Sequence, residues 1–137
     1  KKFPQDESLP YFKNLAPELG VDTYTYYGGS IVEDFNNDGL LDIFATSGDL
    51  KTNVELYLAD GKGGFHKHTK HAGLEGITGG GNCIQADYNN DGCVDLYVAN
   101  PTGPNKLYKN ESIPIYYEIA LLRANKEVSN LRTEVKK

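Results

Sequence analysis

Two acidic nonapeptides dominate this chain: Asp34-Phe-Asn-Asn-Asp-Gly-Leu-Leu-Asp42 (loop 1) and Asp87-Tyr-Asn-Asn-Asp-Gly-Cys-Val-Asp95 (loop 2). Each carries oxygen-bearing side chains at positions 1, 3, 5 and 9 and a glycine at position 6. Three carboxylates on one turn repel one another unless a hard cation lies among them. Calcium accepts about six to eight oxygen ligands, including backbone carbonyls, so the two stretches predict two calcium ions, one in each loop.

The spacing gives each loop position a role. Side-chain oxygens at positions 1, 3 and 5 face the centre, the glycine permits a sharp turn, position 7 offers its carbonyl and position 9 closes the site. An EF-hand is rejected, because position 12 is Ala45 or Val98 where that motif needs glutamate. A simple hairpin turn would account for one Asn-Asn-Asp-Gly but not for two copies with the additional Asp. The predicted metal ligands are Asp34, Asn36, Asp38, Leu40 and Asp42 in loop 1 and Asp87, Asn89, Asp91, Cys93 and Asp95 in loop 2.

The loops belong to a longer repeat. A shift of about 53 residues superimposes both loops, and it also places Phe12 on Phe65 and Gly20 on Gly73. Repetition at such a period indicates a solenoid or a propeller. The predicted organisation is an N-terminal extension (1–11), two repeat units (12–64 and 65–117) and an amphipathic C-terminal helix (118–137).

Short runs rich in β-branched and aromatic residues flank the loops and predict strands. About four short strands per unit are typical of a propeller blade, so the expected fold is mainly β, with about two blades. The C-terminal stretch lacks Gly and Pro and favours a helix. Three interpretations of this stretch stay open. It is a helix that packs on its own domain, a helix that contacts a partner as a coiled coil, or a divergent β segment. The predicted strands are 30–33, 42–46, 54–58, 64–69, 83–86, 95–99 and 106–109.

Composition narrows the classes of function. The 137 residues are enough for one domain, and the net charge of −5 argues against a nucleic-acid partner. No apolar run approaches the roughly 20 residues of a membrane span. The sequence offers no nucleophile–base pair and no phosphate-binding glycine loop, so we expect no enzyme activity. Because it contains no Met, we expect a processed form or an excised segment.

Two features leave alternatives open. Cys83 precedes loop 2 and Cys93 lies within it, and the two form either a disulfide that braces the loop or two buried thiols. Asn110-Glu111-Ser112 is an N-glycosylation acceptor sequence that is used only in a suitable secreted protein.

Histidines and tyrosines suggest further sites. His66, His68 and His71 could indicate a transition-metal site, but nothing else supplies ligands or a second shell, so a solvated edge strand is favoured. The ten tyrosines form a recognition surface or, in the favoured interpretation, fill the core and the space between blades.

Residues 12–110, which carry these motifs, resemble the FG-GAP/VCBS repeats of integrin α-like β-propellers. The similarity covers both loops, the strands after them, Asp60-Gly-Lys-Gly-Gly-Phe65 and Pro104-Asn-Lys-Leu-Tyr-Lys-Asn110. Gly79–Asp87 resembles the ASPIC/UnbV and cartilage-acidic-protein branch. The resemblance implies calcium between adjacent strands of a blade and an extracellular role in adhesion or recognition.

Family propellers close with about seven blades, whereas two blades leave open sheet edges. The chain is therefore expected to be a fragment of a longer protein or a subunit that assembles with copies of itself.

The predicted function is that of a calcium-binding, non-enzymatic repeat module for recognition, adhesion or assembly. Its expected partner is a protein or glycan ligand or further copies of the chain. The expected location is extracellular or secreted, with the cell surface or periplasm as variants. One alternative is a self-assembling subunit of a filament or homo-oligomer. The other is an appended domain of a polysaccharide-active enzyme.

Overall fold

The computed structural model describes residues 11–112 and 120–128, which form two antiparallel sheets and two helices. The first sheet is a four-stranded meander in which each strand pairs with the next. Its strands are β1 (Ser30–Glu33), β2 (Asp42–Ala45), β3 (Glu55–Ala59) and β4 (Phe65–Lys67). This sheet is called the first unit below, and it includes β4, which lies beyond the boundary at residue 64 predicted for the first repeat.

The second sheet has three strands among the described residues, and its order is also that of the chain. In both sheets, the acidic loop joins the first strand to the second. The strands are β5 (Asn82–Ala86), β6 (Asp95–Ala99) and β7 (Lys106–Tyr108). This sheet is called the second unit.

The two units repeat one another with a small offset in the third strand. In the first unit Ile43 pairs with Tyr57, and in the second Leu96 pairs with Tyr108. The shift along the chain is thus 53 residues for the second strand but 51 for the third, because the connection before β7 is shorter. The mainly β fold with repeated sheets is confirmed.

A short helix, α1 (Ala16–Leu19), precedes the first sheet and was not predicted. Pro17 lies in its first turn, and Gly20 ends it in the left-handed conformation with φ 67°. Gly73, the residue 53 positions later, has φ 69°. Glycine adopts this conformation without a steric penalty, so both turns end in the same way.

The backbone hydrogen bonds of this turn recur 53 residues later. The amide of Val21 donates to the carbonyl of Ala16, and that of Leu74 donates to Thr69, both at 3.0 Å. Residues 15–21 therefore have the local structure of residues 68–74, which follow β4. The repeat extends to the N-terminal side of the first sheet.

One hydrophobic core joins both sheets. β1 lies beside β5, and an isolated bridge pairs Asn53 with Thr78. The buried side chains come from strands of both units and from the segments that connect them, and β3 is buried on both faces. The core residues are Ile31, Phe35, Phe44, Val54, Leu56, Leu58, Leu74, Ile77, Cys83, Leu96 and Val98.

The C-terminal helix, α2, is described over residues 120–128, and all nine are exposed. Leu121 and Leu122 are 64% and 68% exposed, so this part of the helix does not pack on the described sheets. The remainder of the helix predicted for 118–137 lies outside the described residues. No helix in the described part of the chain is both long and apolar enough for a membrane crossing.

Candidate metal sites in two acidic loops

Loop 1 connects β1 to β2 and is built on hydrogen bonds from its own backbone to its acidic side chains. The amides of Asp38 and Gly39 donate to the two carboxylate oxygens of Asp34, at 3.0 and 2.8 Å. The amide of Leu40 donates to Asp38 Oδ1 at 2.8 Å, and Asn36 donates its side-chain N–H to Asp38 Oδ2 at 2.9 Å. These bonds wrap the chain around the carboxylate at position 1.

Loop 2 connects β5 to β6 and repeats this arrangement. The amides of Asp91 and Gly92 donate to the two oxygens of Asp87, at 3.1 and 2.9 Å. The amide of Cys93 donates to Asp91 Oδ1 at 3.0 Å. The same residue types at the same spacing therefore produce the same turn twice.

Two positions in each loop take the left-handed conformation. Asn37 and Asn90, at position 4, have φ 57° and 58°, and Gly39 and Gly92, at position 6, both have φ 86°. Asparagine and glycine are the residues that adopt positive φ most readily. The Asn-x-Gly pattern is thus required by the backbone as well as by any ligand.

Asp42, at position 9 of loop 1, is fully buried. Its oxygens accept hydrogen bonds from the amides of Phe35 (3.0 Å) and Ala59 (2.9 Å), so it ties the start of the loop to the end of β3. Burial raises the pKa of Asp42. The two hydrogen bonds lower the pKa, whereas the negative charges of Asp38 and Asp34 raise it further. A cation bound here would offset the cost of keeping the carboxylate charged.

Asp95 has the same position and partners in loop 2. It is 1% exposed and accepts from the amides of Tyr88 (3.2 Å) and Asn110 (2.7 Å). Because these amides correspond to those of Phe35 and Ala59, position 9 links the loop to the last residue of the third strand in the first unit and to the segment just after that strand in the second.

Loop 2 has a basic neighbour. Lys109 Nζ lies 3.4 Å from Asp91 Oδ2. The hydrogen bond from the Cys93 amide is the largest cause that lowers the pKa of Asp91, followed by the Asn89 side chain and then by Lys109. The acidic side chains of loop 1 form no ion pair within the described residues. A cation approaching loop 2 therefore meets a positive charge that loop 1 lacks.

The donor chemistry of both loops fits calcium. Each loop brings carboxylate and amide oxygens together on one turn, and these hard donors are the ones calcium prefers. Within residues 11–112 and 120–128, however, no group of three or more His, Cys, Asp or Glu side chains is arranged to hold a metal. A calcium ion would thus also require the Asn36 or Asn89 amide oxygen and the backbone carbonyl of Leu40 or Cys93.

Asn110 connects the two loops, a role that its sequence context does not reveal. Its side-chain nitrogen donates to the carbonyls of Phe35 (2.8 Å) and Val94 (3.1 Å), so it joins loop 1 to loop 2. A glycan on that nitrogen would remove at least one of these bonds. The acceptor sequence drew attention to Asn110, but a contact with Phe35, 75 residues away, leaves no local signal.

The two thiols are free and buried, which decides the open question about Cys83 and Cys93. Cys83 belongs to the shared core, and Cys93 Sγ donates to the carbonyl of Ser112 at 3.0 Å. Burial raises the pKa of both thiols, and for Cys93 the carboxylates of loop 2 add to the shift. Both side chains therefore act as small packing residues.

The three histidines lie against one another at the end of β4. The rings of His66 and His68 are 5.9 Å apart edge to face, and those of His68 and His71 are stacked at 5.3 Å. Burial, then His71 and His66, lowers the pKa of His68, with a small opposing effect from Asp42. The neutral imidazole is therefore favoured at this position.

Within residues 11–112 the tyrosines are mostly exposed, contrary to the favoured packing interpretation. Tyr57 is buried, but Tyr11, Tyr24 and Tyr27 are 90%, 73% and 72% exposed. The rings of Tyr24 and Tyr26 meet edge to face at 5.4 Å. The N-terminal part of the described chain thus presents a group of aromatic rings to solvent.

A groove of about 400 Å³ lies between the two sheets, beside loop 1. Its walls are about half polar and half apolar, and the polar residues include His68, Lys109 and Glu111. This size is within the range of small-ligand sites. The apolar wall residues include Phe35, Leu56, Leu58, Leu74, Val94 and Leu96.

Two comparisons show which known proteins this chain is similar to. Residues 34–98, from the first residue of loop 1 to a residue in β6, match the family model described as FG-GAP-like repeat. Cartilage acidic protein 1 of Xenopus tropicalis is 32% identical over 96 residues, which are 69% of this chain and 14% of the relative. The chain thus spans about 14% of the length of this curated relative.

Proposed function

Because the chain belongs to the FG-GAP-like repeat family through residues 34–98, we propose that it is a non-enzymatic, calcium-stabilised repeat module. In this proposal each acidic loop binds one calcium ion. The observation that carries it is the duplicated loop, in which identical hydrogen bonds hold the same acidic and amide groups on one turn.

The ions would stabilise the fold through residues that already organise the loops. In loop 1 the ligands are the side chains of Asp34, Asn36, Asp38 and Asp42 and the carbonyl of Leu40, and in loop 2 their counterparts. Bound calcium supplies positive charge that offsets repulsion among the carboxylates and the burial of position 9. At free calcium about 100-fold above the dissociation constant, each ion adds about 2.7 kcal/mol to the free energy of unfolding.

The module would act outside the cell in recognition, adhesion or assembly, with a protein or glycan as ligand. The name of the Xenopus relative refers to an acidic protein of cartilage, and this supports an extracellular setting. Exposed aromatic side chains at Tyr24, Tyr26 and Tyr27 provide a surface of the composition that protein contacts favour.

Removal of calcium tests the proposal. After treatment with a chelator, the melting temperature of the full chain should fall by more than about 10 °C, and calcium, but not equal magnesium, should restore it. The matched control is the variant Asp34→Asn with Asp87→Asn, whose melting temperature should not respond to calcium. Equal melting curves for the wild type with and without the chelator would refute the proposal.

A second candidate function, self-assembly, is favoured by the exposure of α2. Leu121, Leu122 and Val128 present apolar side chains to solvent over the described part of this helix. A helix with uncovered apolar residues is suited to pairing with another helix. Light scattering at increasing concentration should show oligomers that Leu121→Gln with Leu122→Gln abolishes. A constant monomer mass would exclude this candidate.

A further inference from the structure

Loop 1 and loop 2 are in direct contact through a side chain of loop 1. The side-chain nitrogen of Asn37 donates to the carbonyl of Gly92 at 3.2 Å. Asn37 is at position 4 of loop 1, where the backbone takes the left-handed conformation. Gly92 immediately precedes Cys93, whose carbonyl is a proposed calcium ligand.

Asn110 anchors the other side of the same ligand. Its side-chain nitrogen holds the carbonyl of Val94, the residue after Cys93, and the carbonyl of Phe35 in loop 1. Its backbone amide donates to Asp95 Oδ1 at 2.7 Å. One residue therefore contacts loop 1, the segment next to the position-7 ligand and the position-9 ligand of loop 2.

This second bridge is particular to loop 2. Ala59 occupies the position in the first unit that corresponds to Asn110, since both donate their backbone amide to the Asp at position 9. Alanine has no amide side chain to reach the neighbouring loop. The bridge is therefore not needed to form the sheet, which the first unit builds without it.

We infer that Asn37 and Asn110 couple the two loops, so that calcium in loop 1 raises the calcium affinity of loop 2. This inference rests on the proposed function. The carbonyls of Gly92 and Val94, on either side of the Cys93 ligand, are both held by side-chain amides that also belong to or contact loop 1. When calcium orders loop 1, loop 2 loses less conformational freedom on binding its own ion. The expected coupling is about fivefold in the dissociation constant.

The test is a calcium titration of the chelator-stripped full chain, followed by NMR. The amide signals of Gly39 and Gly92 report the two loops separately, because each amide donates to the position-1 carboxylate of its own loop. Asp34→Asn, which weakens loop 1, should reduce the affinity of loop 2 about fivefold. With Asn37→Gly and Asn110→Ala also present, the same change should no longer affect loop 2.

Matched controls separate coupling from general damage. Glycine at position 37 preserves the positive φ, and alanine at 110 copies the first unit. Asn90→Gly, the equivalent change in loop 2, should leave the affinity of loop 1 unchanged. If Asp34→Asn unfolds the protein, Asp38→Asn serves as the loop 1 variant.

The outcomes distinguish this inference from the proposed function. Calcium binding to both loops of the wild type, with loop 2 unaffected by loss of loop 1, would overturn the coupling and leave the proposed function intact. An absence of calcium binding in the wild type would overturn both. Loss of coupling in the bridge variants, with loop 1 affinity retained, is the result that the inference predicts.

Discussion

At position 2 of the acidic loops, Phe35 is 5% exposed in the first unit, whereas Tyr88 is 53% exposed in the second. At position 7 the order is reversed, because Leu40 is 36% exposed and Cys93 only 3%. The hydrogen bonds within the two loops are nevertheless the same. Loop geometry is thus determined locally by aspartate, asparagine and glycine, whereas burial depends on the surroundings of each loop, such as Phe44 beside Phe35 and Ser112 beside Cys93.

The difference in burial between Phe35 and Tyr88 also predicts how much each side chain contributes to the free energy of unfolding. Phe35 packs against Phe44 with ring centres 6.4 Å apart, and both belong to the core that joins the sheets. Tyr88 has no such position among the described core residues. Loop 1 is therefore part of the core, while loop 2 depends more on its own bonds and on Asn110.

Truncation of position 2 tests this contrast and has the largest expected effect. Phe35→Ala should lower the free energy of unfolding by about 3–5 kcal/mol, because a buried aromatic ring leaves a cavity. Tyr88→Ala should cost less than about 1 kcal/mol. Denaturant unfolding measures both, and Phe35→Leu provides a milder variant if the alanine variant does not fold. Equal losses at the two positions would contradict the contrast.

The sequence predicted the strands well, because loops and strands have strong local signals. β1 and β6 have the predicted bounds, and the other five strands begin and end within two residues of theirs. The sequence could not predict that Phe35 is buried and Tyr88 exposed, since both are aromatic residues at the same position of the repeat. Their difference in burial comes from the surroundings of each loop.

What the sequence missed depends on contacts between distant residues or on very short elements. The pairing of Cys83 and Cys93 could not be decided, because it requires a distance that only the fold provides. Asn110 reads locally as a glycosylation acceptor, although its partners lie in both loops. α1 has only four residues, and Pro17 and Gly20 were its only signals.

Charge near the loops provides the next test. Lys109 lies beside Asp91, so Lys109→Gln should increase the calcium affinity of loop 2 about two- to fivefold at low salt, and less at high salt. The calcium affinity of loop 1 should not change. Lys106→Gln, at the start of β7 and three residues before Lys109, is the matched control. Titration at two salt concentrations measures the effect, and an unchanged affinity of loop 2 would show that this charge does not matter.

The histidines of the first unit give the smallest expected effect. Because the pKa of His68 is lower in the folded protein than its ordinary value of 6.5, the unfolded chain binds the proton more readily. The free energy of unfolding should fall as the pH falls below about 6.5, by no more than about 1 kcal/mol after solvent screening.

His68→Gln should flatten this dependence between about pH 7 and pH 5, whereas His66→Gln, at an exposed position, should retain most of it. Denaturant unfolding at a series of pH values provides the measurement. A wild-type curve that is flat over this range would contradict the role given to His68.

The number of calcium ions bound per chain tests the central claim most directly. Native mass spectrometry of the full chain, at increasing free calcium, should detect two bound ions in the wild type. It should detect one in Asp34→Asn and one in Asp87→Asn. A wild-type chain that remains free of calcium at millimolar concentrations, or two single variants that still bind two ions, would contradict the assignment of the acidic loops.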